Sequence, residues 1–123
     1  MTTRVTEPAL TPALALDYLD DLSVDIRGAL VLDGAGEVAA AWRGDADRGE
    51  RMREALAALL ERADAAAGSS EPVGQLEVGT PRGIVFCVRE HDWTLAVVAG
   101  RFALSSLMFY DLRQVLHDMR MAA

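Results

Sequence analysis

At 123 residues, 51% of them apolar and 25% charged, the chain has the length of one domain and the composition of a packed globular protein. Twelve arginines and no lysine stand against nineteen acids, a net charge of −7, and no window of the sequence is basic, which argues against nucleic acid and anionic membrane as partners. The single cysteine, Cys87, lies in the apolar run Ile84 to Val88, so neither a disulfide framework nor a cysteine zinc site forms within one chain.

Residues 1–10 carry Pro8 and no periodicity and read as a flexible leader to a single domain over residues 11–123. They contain no apolar signal segment, and no stretch reaches the roughly 18 apolar residues of a membrane span, so a cytoplasmic protein without membrane insertion is expected. Thr11-Pro12 has the form of a helix N-cap followed by proline in the first turn, and predicts a helix over Pro12 to Leu22. Ala15, Tyr18, Leu19 and Leu22 share its apolar side, while Asp17, Asp20 and Asp21 fall on an acidic outer face.

Two apolar runs, Ile26 to Leu32 and Glu37 to Trp42, flank an Asp/Gly turn at Asp33 to Gly36 and predict a hairpin. From Arg48 to Ala67 the period becomes helical: Met52, Leu56, Leu59, Leu60, Ala63 and Ala67 form one stripe, with the small residues Ala55, Ala58 and Ala65 beside it. Three strands follow, over Val73 to Val78, Gly83 to Glu90 and Trp93 to Ala99. Both faces of the last two are apolar, which requires cover on both sides of the sheet. Ile84, Phe86, Val88, Leu95 and Val97 are alternate to Val85, Cys87, Ala96 and Val98. The strand Val73 to Val78 alternates Leu76 and Val78 with Gln75 and Glu77, as an edge strand with one wet face does. A last helix over Leu104 to Met121 places Leu104, Met108, Leu112, Val115, Leu116 and Met119 inward and Ser106, Tyr110, Arg113 and His117 outward. The expected fold is α+β, ordered α-β-β-α-β-β-β-α, with a five-stranded antiparallel sheet between helices.

Side-chain chemistry points away from catalysis. His91 and His117 fall in a turn and on an outer helix face without convergent ligands. Ser105 and Ser106 lack a nucleophile elbow. Asp17, Asp20, Asp21 and Asp25 lack the alternating ligands of a calcium loop. Gly34, Gly36, Gly79 and Gly83 sit in hairpin turns and open no strand-to-helix phosphate loop. No enzyme activity, catalytic residue, cofactor or metal is expected. Tyr110, Arg113 and His117 recur at helical spacing and, with Asp17, Asp20 and Asp21, are the candidate partner-contact residues.

The element order, together with the segments DIRGALVLDGAGEVAAA and GIVFCVREHDWTLAVVAGRFALSSLMFYDLRQVL, resembles the roadblock-type dynein light chain family, in particular its bacterial single-domain members. The resemblance runs from about Leu14 to Met119 and rests on apolar and small residues, so it transfers no partner-contact residue. Profilin-like, longin and PAS/GAF-type domains share the central sheet. The resemblance implies a dimer in which the middle helix and third strand meet their counterparts. It also implies a non-catalytic adaptor or regulator of a Ras-like small GTPase or of another signalling protein. An edge strand whose only charge is Glu77 points the same way, since edges are otherwise protected by lysine, proline or a bulge. Ala55, Ala58, Leu59, Ala65, Leu76 and Val78 are the expected homodimer interface. The alternatives are a PAS/GAF-like small-molecule sensor, which would require polar groups directed into the core, and an adaptor for a non-GTPase signalling assembly.

Overall fold

The computed structural model describes residues 10–68, 70–90 and 92–120. The expected leader lies outside these apart from Leu10, which packs against the core, and so does His91. The elements are α1 (Pro12–Leu22), β1 (Ile26–Leu32), β2 (Val38–Ala41), α2 (Ala46–Ala67), β3 (Gln75–Thr80), β4 (Gly83–Glu90), β5 (Trp93–Ala99) and α3 (Ser105–Arg120). All strand pairs are antiparallel, in the order β2-β1-β5-β4-β3, which leaves β2 and β3 at the edges. Among the described residues no helix is long and apolar enough to cross a membrane.

Alternation along the strands divides the core into two layers. Ala29, Val31, Phe86, Val88, Leu95 and Val97 face α1 and α3, whereas Leu30, Leu32, Cys87 and Ala96 face α2. Thr11 caps α1 by accepting from the Leu14 amide at 3.2 Å, and Asp45 caps α2 by accepting from the Arg48 amide at 3.0 Å. Gly68, with φ 64°, ends α2 in the left-handed conformation that a side chain disfavours.

The structure corrects several inward assignments. Tyr18 and Leu22 are 50% and 47% exposed, and Leu16 takes the buried place between Ala15 and Leu19. Leu104 precedes α3 and is 69% exposed, while Phe109 is buried with its ring edge-on to Phe86 at 5.3 Å. The second strand stops at Ala41, because Trp42 begins a single 3-10 turn and buries its indole in the α1/α3 layer. Arg43 follows at φ 54°, a conformation costing about 1 kcal/mol. It lies over the Trp42 ring and makes two hydrogen bonds to Asp20 of α1, at 2.9 and 3.1 Å. β3 begins at Gln75 and not at Val73, because both main-chain groups of Val73 are taken by side chains: its amide donates to Asp64 and its carbonyl accepts from Arg89.

Cys87 is buried beside Leu30, Ala96 and Leu56, and burial pushes its thiol up to about 12. The reactive thiolate is therefore almost absent at neutral pH. Ellman's reagent is expected to leave the folded protein unmodified and to titrate one thiol per chain in denaturant. Rapid reaction without denaturant would show that the α2 layer opens readily.

Candidate interaction surfaces

The two faces of the sheet are covered unequally. α1 packs on β1 and β2 and α3 on β4 and β5, so the first face is dressed along its length. On the second face α2 packs chiefly on β1 and β2, and of its 22 residues only Gly49, Leu56 and Leu60 are buried. Met52, Leu59 and Ala63 are half-buried and Ala67 is exposed. Between α2 and the middle strands lies a wholly apolar groove of about 90 Å³, bounded by Met52, Ala55, Leu59, Val85 and Val98. The β3–β4 register extends it outward, pairing Val78 with Val85 and Leu76 with Cys87. Ala55, Leu59, Leu76 and Val78 thus belong to one apolar shelf that ends at the unpaired edge of β3. Ala58 and Ala65 do not, since roughly 100° per residue carries them to the helix side opposite Leu56 and Leu60.

A clamp holds α2 to the far end of this shelf. Arg89 on β4 grips the Asp64 carboxylate with both terminal nitrogens, at 2.5 and 3.1 Å, while its Nε donates to the Val73 carbonyl at 2.7 Å. The guanidinium, followed by the Val73 amide, holds the Asp64 carboxyl below its ordinary value. A carboxyl lowered by folding contributes its stability above the unfolded-state pKa of about 3.9 and loses it as pH falls through the lower folded-state value. Urea denaturation is therefore expected to show a steeper loss of stability on acidification through that range in wild type than in Asp64→Asn. Parallel pH profiles would mean that the clamp is energetically silent.

On the other face the partner-contact candidates are not equivalent. Asp20 is engaged by Arg43, and Arg113 donates to Glu90 and Gln75 at 2.6 and 2.7 Å, tying α3 to β4 and β3. Asp17, Asp21, Tyr110 and His117 are exposed. Sequence reasoning missed a recess of about 280 Å³ between the end of α1 and the start of α3, lined by Leu22, Leu104, Leu107 and Asp111. Desolvation there raises the Asp111 carboxyl above its ordinary value. Its signal was present in the sequence as Leu22 and Leu104, which helical spacing assigned to the interior.

A third surface collects positive charge. Arg27, Arg48, Arg82 and Arg101 come from four separate segments to one end of the sheet, although no stretch of the sequence is basic.

Neither a family model nor a curated protein matches the sequence. Solved structures do match. A Roadblock/LC7 domain from Streptomyces avermitilis superposes with a TM-score of 0.75 at 22% identity, over 86% of this chain and 92% of that one. Myxococcus xanthus MglB gives 0.68 at 6% identity, over 97% of each chain. The gliding protein MglB of Thermus thermophilus gives 0.65 at 16% identity, over 96% of this chain and 98% of that one. A further MglB structure, with a tetrameric arrangement, gives 0.68 at 16%. The chain has the Roadblock/LC7 fold.

Proposed function

We propose that this protein is a non-catalytic homodimeric adaptor that regulates a Ras-like small GTPase in the bacterial cytoplasm, as its likeness to the roadblock-type family implies. The observation that carries the reading is the half-covered second face of the sheet, an apolar shelf running out to an unpaired strand edge. A second copy laid against the shelf would join two sheets into one and bury both. The sensor alternative has less support: among the described residues no buried side chain is polar or charged, which leaves an interior ligand nothing to orient it.

A regulator biases a switch only through different affinities for its two states. Purified small GTPases of the source cell, loaded with GDP or with a non-hydrolysable GTP analogue, are therefore expected to bind the immobilised protein with affinities differing about tenfold or more. Charge reversal at Asp17 and Asp21 should slow association, and Tyr110→Ala should speed dissociation. Asp20 is excluded from that pair because its carboxylate already serves Arg43. Equal affinity for both nucleotide states, or no binding to any of them, would overturn the GTPase reading in favour of an adaptor for another signalling protein.

A further inference from the structure

We propose that the arginine-lined recess at one end of the sheet binds a phosphate-bearing ligand, with the phosphates on the guanidiniums and any organic part against Phe102. The recess, about 550 Å³, is bounded by Arg27 on β1, Arg48 in the first turn of α2, Arg82 in the β3–β4 turn, and Arg101 and Phe102 in the β5–α3 connection, with Asp25 beside them. Its volume lies within the roughly 300–1,000 Å³ of small-molecule sites.

Two of the guanidiniums are fixed by main chain. Arg27 donates from Nη1 to the Arg82 carbonyl at 2.9 Å, and Arg48 donates from Nη2 to the Arg27 carbonyl at 2.9 Å. Gly28 makes room for the second, since a Cβ there would stand 2.8 Å from Arg48 Nη2. Each guanidinium keeps further N–H donors in a planar fork that matches phosphate oxygens.

Convergence without carboxylate partners sets these four apart. Arg43, Arg53, Arg89 and Arg113 each have a carboxylate, whereas Arg27, Arg48, Arg82 and Arg101, like Arg51 and Arg62 of α2, have no ion pair among the described residues, and only these four line one recess. On a chain of net charge −7, bringing four unpaired cations together beside one carboxylate creates a local field opposite in sign to the whole. The three positive charges left over are close to those a diphosphate neutralises. Phe102, 94% exposed, serves no core and offers a ring at the rim. A small phosphate ligand is favoured over an acidic peptide because the donors converge on a recess and are not spread along a strand or helix face.

The test is calorimetric titration of the full chain at low salt with pyrophosphate, ADP and GDP, alongside sedimentation with vesicles bearing phosphoinositide headgroups or only neutral lipid. Arg82→Ala and Arg101→Ala suit it because neither guanidinium holds the fold; Arg62→Ala, an exposed arginine of α2, controls for diffuse charge. Binding of a free diphosphate weakened about tenfold or more by either recess variant but not by Arg62→Ala is the expected result. Phe102→Ala should then weaken the nucleotides and spare pyrophosphate. Binding of phosphoinositide vesicles alone, with the same dependence on Arg82 and Arg101, supports the site and assigns its phosphate to a headgroup. No binding of either kind, equal weakening by Arg62→Ala, or tighter binding of a glutamate-rich peptide than of pyrophosphate through the same arginines would overturn it. No readout uses a GTPase, so failure here and failure of the regulatory reading are separable.

Discussion

Phe86→Ala is expected to lower the free energy of unfolding by about 3–5 kcal/mol, the range for removing a fully buried aromatic ring from a core. Phe86 has no exposed surface and faces α3 from β4, next to the central strand β5, opposite Val97. Its ring meets Phe109 edge-on, at an interplanar angle of 83°, an arrangement that adds about 0.5–1.5 kcal/mol beyond area burial. The cavity would open between helix and sheet, where paired strands restrict collapse of the backbone. Since a domain of this size has about 5–15 kcal/mol in total, the loss removes a large share of it. Urea unfolding should show a lower midpoint at unchanged slope, and Leu107→Ala, at an exposed position of α3, should stay within about 0.5 kcal/mol of wild type. A loss below about 1.5 kcal/mol in Phe86→Ala would show that α3 closes over the vacated space.

The parts of this fold that were legible in the sequence are those governed by local periodicity. β1, β4 and β5 begin and end where the sequence places them, because runs of β-branched and apolar residues stop at Asp33, before Asp92 and at Gly100. Their two-residue period also assigned Phe86 and Val88 to one face and Cys87 to the other. α1 sits rotated from the stripe that its periodicity predicts, because both Leu16 and Tyr18 satisfy an apolar stripe and only contact with β1 and β2 selects between them. The surfaces were less legible for a different reason. Asp20 meets a partner 23 residues away and Arg113 meets Gln75 38 residues away, so neither pairing leaves a mark in a local window. The arginine recess is the extreme case: Arg27, Arg48, Arg82 and Arg101 stand at least 19 residues apart in sequence and form a basic cluster only when the fold brings their segments together.

Leu59→Arg and Leu76→Lys are each expected to convert the proposed dimer to a monomer, raising its dissociation constant by about a hundredfold or more. That magnitude follows from the about 1.5–3 kcal/mol that burying a leucine side chain contributes, together with the cost of desolvating a charge in its place. Leu59 flanks the apolar groove and Leu76 lies on the unpaired edge strand, so the two changes reach the same shelf from different elements. Both side chains are only half-buried in the single chain, so substitution should leave the circular dichroism spectrum unchanged. Ala58→Arg discriminates between two geometries. If the copies meet only along the shelf and the β3 edges, the outward position of Ala58 leaves that dimer intact; if the α2 helices also pack face to face, the long side chain separates them as effectively as Leu59→Arg. Size-exclusion chromatography with light scattering reads all three variants. A wild-type protein that stays at the mass of one chain in the high micromolar range would remove the dimer from the proposal, leaving the shelf for a different protein.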